Sequence, residues 1–140
     1  MIAGFLNNFV VIMDTGEVLV IDLFAGPGGL GEGVSSVMQE NGNLPFKLGV
    51  SVEKEPSAHK TLTTRAFYRK IQGIENGLAS YNSYLSGEIT REQLFERYPQ
   101  QAKEAQQETL FYPHALGDDN EEIHQRIREL VQKHGSDRPR

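Results

Sequence analysis

The residues best placed to do chemistry cluster between positions 20 and 53. Val20-Ile21-Asp22-Leu23-Phe24-Ala25-Gly26-Pro27-Gly28-Gly29-Leu30-Gly31-Glu32-Gly33 puts a run of glycines directly behind an apolar segment, and Glu53 follows. Glycines in that place let the backbone turn sharply and approach a ligand without interference from Cβ. The helix start behind them offers free N–H groups suited to an anionic group. Gly26-x-Gly28-x-x-Gly31 has the spacing of a dinucleotide fingerprint, with Glu53 where a carboxylate accepts ribose hydroxyls. On spacing alone, NAD or FAD is a live ligand. Asp22 favours another. It lies four residues before the first glycine, where a carboxylate repels a pyrophosphate but attracts a ligand bearing an ammonium and a sulfonium. S-adenosylmethionine has both, with one carboxylate. Phe24 adds a flat apolar surface for an adenine ring.

Two strands and a helix must position these groups. Glu17 to Phe24, with Val18, Leu19, Val20, Ile21 and Leu23, is a nearly continuous apolar run between Thr15-Gly16 and the glycines, as suits a strand buried on both faces of a parallel sheet. Leu30, Val34, Val37 and Met38 then share one helical face, with Gly42 as the stop. Phe46 to Val52 reads as a second strand carrying Glu53 at its carboxyl end, which completes a βαβ unit. Pro56 and Ser57 open a second helix with Ala58, Leu62 and Ala66 inward. Residues 72–113 read as a helical insertion, with one helix starting at Thr90, where Thr90 and Gln93 have capping-box spacing. A third strand is expected near Thr109 to Tyr112. Asp119 and Glu122 cap a last helix with the stripe Ile123, Ile127, Leu130 and Val131, and Gly135 stops it.

Composition sets the outer bounds. At 140 residues, 38% hydrophobic and 24% charged, the chain suits one globular domain spanning residues 1–140. Met1 to Met13 is mildly apolar but has no basic start and no cleavage site, so no signal peptide is expected and the chain is expected to be cytoplasmic. There is no cysteine, which removes disulfides, thiolate metal sites and a thiol nucleophile together. His59, His114, His124 and His134 show no ligand spacing, so no metal site is expected. Tyr81, Tyr84 and Tyr98 lack an interleaved basic patch and are expected to pack within the insertion rather than stack on bases. The net charge of −5 opposes DNA phosphates.

Asp22-Leu23-Phe24-Ala25-Gly26-x-Gly28-Gly29 resembles the first signature of the DNA (cytosine-5) methyltransferases, and Val52-Glu53-Lys54 followed by Ala58 resembles the second. The resemblance implies a Rossmann-like class I methyltransferase half-domain: α/β, a mostly parallel sheet of at least three parallel strands, truncated before the fourth. It implies that Phe24, Ala25, Gly26, Gly28 and Gly29 line S-adenosylmethionine and that Glu53 takes its ribose hydroxyls. Asp22 would orient the loop or meet the methionine ammonium. Lys54 stands where the family often has a large apolar residue over the adenine, and its alkyl stem covers the ring only in part. Asp118, in Leu116-Gly117-Asp118-Asp119, stands for the third signature, an acid beside the adenine amino group. The family's thiol nucleophile sits in a Pro-Cys loop after the fourth strand, so no catalytic residue is expected in this chain, which alone would be inactive. The parent function implied is methyl transfer to carbon 5 of cytosine in DNA, in restriction-modification, with DNA held by a missing C-terminal region. A non-catalytic cofactor-binding subunit that needs a partner chain has the same site. A sheet cut short would leave an open edge, which favours self-association.

Overall fold

The computed structural model describes residues 2–6, 9–13, 17–118 and 120–136. In chain order the elements are β1 (Ile2–Leu6), β2 (Phe9–Met13), β3 (Val18–Asp22), α1 (Gly29–Ser35), β4 (Phe46–Ser51), α2 (Pro56–Ile71), α3 (Gly77–Leu85), α4 (Arg91–Arg97), α5 (Pro99–Glu108) and α6 (Asn120–Ser136). The four strands form one sheet in the order β1-β2-β3-β4. The β3–β4 pair is parallel, from Val18↔Phe46 to Asp22↔Ser51, with a register shift between Val20 and Ile21. These are the two strands read from the apolar runs.

The sheet is α/β but not mostly parallel. β1 pairs antiparallel with β2, and β2 antiparallel with β3, from Phe9↔Asp22 to Met13↔Val18. Connection length explains this. Only Asn7 and Asn8 separate β1 from β2, and four residues separate β2 from β3. Such links can join antiparallel neighbours but are too short for a parallel crossover. Among the described residues the parallel strands number two rather than three.

The expected third strand at Thr109 to Tyr112 does not form. Thr109 closes α5, and Leu110 and Phe111 follow with φ of 60° and 36°, a left-handed conformation that strand backbone does not use. The chain instead meets the sheet at His114, whose N–H donates to the carbonyl of Glu53 at 2.8 Å.

Side chains of β3 alternate between two layers. Leu19 and Ile21 join Val50, Val52, Leu110 and Ile123 in a buried cluster covered by Ile127, Leu130 and Val131 of α6. The stripe expected on the last helix is thus its buried face. The expected cap Asp119 lies outside the described residues, as do Thr15 and Gly16, and α6 continues through Gly135 to Ser136. Val20 and Asp22 belong to the other layer, where α1 lies with Gly31 against Leu48.

α1 is shorter than the apolar spacing predicts. It spans seven residues, and Leu30, Val37 and Met38 are exposed. Gly29, Gly31 and Gly33 explain the short span, since each glycine costs about 1 kcal/mol relative to alanine inside a helix. Gly42 sits in a turn at φ 82°, beyond the helix rather than at its end.

The second core is helical. Ala66, Phe67 and Ile71 of α2 meet Leu94 of α4 and Ala102 and Ala105 of α5, with Tyr81, Tyr84, Phe95 and Tyr98 against them. Phe67 and Phe95 stack with centroids 4.4 Å apart. The three tyrosines are packing residues, as their lack of a basic surround predicts. α4 begins with the expected capping box: Gln93 N–H donates to Thr90 Oγ1 and Thr90 N–H to Gln93 Oε1. α2 starts at Pro56 as expected, but its cap is Glu55, whose carboxylate accepts from the N–H groups of Ser57 and Ala58 at 3.0 and 2.6 Å. Those bonds hold the Glu55 carboxyl below its ordinary range. Among the described residues no helix is long and apolar enough to cross a membrane.

Candidate functional site

Parallel pairing of β3 with β4 brings the carboxyl ends of both strands to one edge, and the loop after β3 folds over it. Val52 N–H donates to Asp22 O at 2.7 Å, and Ala25 N–H returns to Val52 O at 3.0 Å. Gly28 N–H then closes on Ala25 O at 3.0 Å. Gly26 and Gly28 take φ of 54° and 93°, values open to glycine at little cost. Gly28 has a second constraint. A Cβ there would lie 2.9 Å from Leu62 Cδ1 of α2, so the turn is pressed against that helix.

Glu53 clasps this turn. Its Oε2 accepts the Gly26 N–H at 2.8 Å, and its Oε1 accepts the Glu55 N–H at 2.7 Å. A carboxylate offers about four lone-pair positions, so roughly half its accepting capacity remains. The residue expected to serve a ribose also holds the glycine turn to the neighbouring strand.

Asp22 is 1% exposed. One carboxylate oxygen accepts the Phe24 N–H at 3.3 Å, while the other is buried with no hydrogen-bond partner. Burial pushes its carboxyl above the ordinary range; the Phe24 N–H offsets part of this, and the charge of Glu53 adds to it. A Cβ on Gly31 would sit 3.8 Å from that unpartnered oxygen and 3.1 Å from Leu48 Cδ1. Only the contact with Leu48 is tight, so the smallness of Gly31 seats α1 on β4, beside Asp22.

The remaining candidates are placed less tightly. Ala25 is buried in the turn, and Phe24 stands 62% exposed beside it. Gly29 begins α1, and Lys54 is exposed beyond the end of β4. Asp118 is exposed in the turn before α6, and no hydrogen bond joins it to the loop or to Glu53. Its link to the site is indirect, through the nearby His114 N–H on Glu53 O. Sequence reasoning missed Arg65. Its Nη1 is 3.9 Å from the Cβ position of Gly29, and its Cδ is 3.7 Å from that of Gly28. A signal was present: Arg65 follows the inward Leu62 by three residues, so both share one helical face.

A groove of about 560 Å³ lies elsewhere, between the end of α5 and the first turns of α6, lined by Leu110, Phe111, Glu122 and Arg126 among others. It shares no residue with the glycine turn. Among the described residues no cluster of three or more histidine or acidic side chains is placed to hold a metal ion.

With that geometry in place, the chain proves similar to a known protein. It is 36% identical over 100 residues to a Type II methyltransferase of Bacillus paralicheniformis. The likeness is to a methyltransferase. It covers 66% of this chain and 21% of that protein, so the chain spans about a fifth of the relative's length. No family model matches the chain, and no solved structure matches it.

Proposed function

We propose that these residues form the S-adenosylmethionine-binding part of a DNA (cytosine-5) methyltransferase with a Rossmann-like fold. The observation that carries the reading is the buried, unpartnered Asp22 oxygen beside the glycine turn that Glu53 clasps. An isolated buried carboxylate is costly, and a cation is the partner that relieves it. A pyrophosphate brought to the same edge would face Asp22 and Glu53 with like charge. This orders the adenosyl cofactor ahead of NAD or FAD.

The residues present fit that cofactor. Asp22 meets the ammonium or the sulfonium. The free lone pairs of Glu53 accept ribose hydroxyls, and the exposed Phe24 ring lies against adenine. Ala25, Gly26, Gly28 and Gly29 supply a backbone wall, while Lys54 and Asp118 border the adenine side. When bound, the cofactor supplies an activated methyl group on sulfur. The chain's own part is to bind and orient it. Methyl transfer to carbon 5 of cytosine needs a thiolate nucleophile in this family, and these 140 residues contain no cysteine. The reacting groups and the DNA-reading surface therefore lie outside them, in a longer chain or a partner. The net charge of −5 supports placing the DNA grip elsewhere. The proposed setting is bacterial restriction-modification, which the likeness to a Type II methyltransferase supports; a cytoplasmic location is part of the proposal.

Titration calorimetry tests the reading. S-adenosylhomocysteine or S-adenosylmethionine should bind, and Glu53→Ala should weaken that binding by about 1–3 kcal/mol, the cost of leaving hydrogen-bonding groups unpaired. Binding of NAD with neither adenosyl ligand would reverse the assignment.

A further inference from the structure

We infer that Arg65 receives the carboxylate at the amino-acid end of the proposed cofactor, an assignment that rests on the cofactor reading above. The argument begins with charge. The strand tips contribute two acids, Asp22 and Glu53. These suit the ammonium, the sulfonium and the ribose, but both repel the ligand's one anionic group. A cation beside the glycine turn is needed to hold that end of the ligand.

Arg65 stands in that place. Its side chain runs along the turn, with Cδ 3.7 Å from the Cβ position of Gly28 and the guanidinium Nη1 3.9 Å from that of Gly29. The absence of side chains at both glycines opens the space between guanidinium and backbone. Arg65 is half-buried, and no hydrogen bond or ion pair joins it to any described residue.

Its neighbours on α2 are engaged. Arg69 pairs with Glu32 and Glu108, and Lys70 Nζ reaches Glu108 Oε2 at 2.7 Å. On α4, Arg91 donates to Thr64 Oγ1 and lies over the Phe95 ring. Glu32, the acid of α1, is thus taken by Arg69, one helical turn beyond Arg65. Among the described residues the guanidinium nearest the turn has no acidic partner, while Arg69 and Lys70 behind it share Glu32 and Glu108. A planar guanidinium can take a carboxylate through two parallel hydrogen bonds, which a single ammonium cannot do. α1 is a weak substitute, with seven residues and no side-chain cap at its start.

Decarboxylated S-adenosylmethionine keeps the adenosine, sulfonium and ammonium and lacks only the carboxylate, so it isolates this contact. Calorimetry would compare it with S-adenosylmethionine on the unaltered chain and on Arg65→Gln. The unaltered chain should prefer S-adenosylmethionine by roughly tenfold or more, as expected for a charge-assisted bidentate pair. Arg65→Gln should lose that preference, binding S-adenosylmethionine no more tightly than the decarboxylated ligand, because Asp22 and Glu53 still repel the carboxylate. Arg65→Lys should recover part of the preference. A preference unchanged in Arg65→Gln, or an equal loss for both ligands, would overturn the role of Arg65 while leaving the cofactor site standing. If the unaltered chain binds neither ligand, the cofactor reading itself falls and this inference falls with it.

Discussion

Burial holds the Asp22 carboxyl above its ordinary range, and the Glu53 charge pushes the same way. The sign of the resulting pH dependence follows from linkage. An acid whose folded pKa is raised leaves the folded state binding more protons than the unfolded chain. Its penalty is absent below the unfolded pKa and grows as pH rises through the folded one. Asp22→Asn should therefore raise the melting temperature by a few degrees at neutral pH. That gain should shrink as pH falls through the carboxylate range, read by thermal scans at several pH values. The same substitution should weaken S-adenosylmethionine binding, because the neutral amide no longer attracts a cation. A variant with unchanged stability at neutral pH would show that the buried oxygen carries no penalty in solution. Binding of the cofactor should likewise lower the Asp22 pKa, so affinity should fall as the solution is acidified and this carboxylate is protonated. Glu53 behaves differently. Its two backbone hydrogen bonds make it a structural clasp as well as a ligand group, so Glu53→Ala should lower stability as well as affinity.

At the scale of elements, the site depends on how closely the glycine turn approaches α2. Gly28 combines φ of 93° with a Cβ position 2.9 Å from Leu62 Cδ1. Gly28→Ala should cost about 1–3 kcal/mol in urea unfolding from the left-handed backbone alone, with the clash added. Leu62→Ala removes the clashing methyl and leaves the φ strain. The two substitutions should therefore be non-additive, with Gly28→Ala less damaging in the Leu62→Ala background. Strict additivity would show that the turn is not seated on α2. The helical cluster behind α2 gives the platform its rigidity. Phe67 is fully buried there against Phe95 and Tyr98. Phe67→Ala should cost about 3–5 kcal/mol, the usual loss for a buried aromatic, and should abolish ligand binding only through unfolding.

The whole molecule is a four-stranded mixed sheet with α6 covering one face, α1 on the other, and a helical cluster built on α2. β1 and β4 are its edges, and β1 is an edge strand joined to the sheet only through β2. An unpaired edge is a template for a second copy. Leu30, Val37, Met38 and Leu44 add exposed apolar surface near α1. We propose that the chain self-associates on concentration, with light scattering as the measure. A monomer that persists at high concentration would exclude this.

The sequence by itself determined the local unit: β3, the glycine turn, β4, the start of α2 and the stripe of α6. Each of these is encoded by neighbours in the chain, as apolar runs, turn residues, caps and helical spacing. It also placed Asp22, Glu53 and the glycines at one edge, because parallel pairing of two successive strands allows little else. Tertiary structure decided the rest. The antiparallel β1 and β2 follow from short links between apolar runs, a signal about pairing rather than periodicity. The failed third strand follows from left-handed backbone at Leu110 and Phe111, which no side-chain pattern announces. α1 buries Gly31 instead of its apolar stripe, because closeness to Leu48 and Asp22 outweighed the hydrophobic face. Arg65 entered the site across a helix–loop contact, and contacts between residues far apart in the chain exist only once the chain has folded.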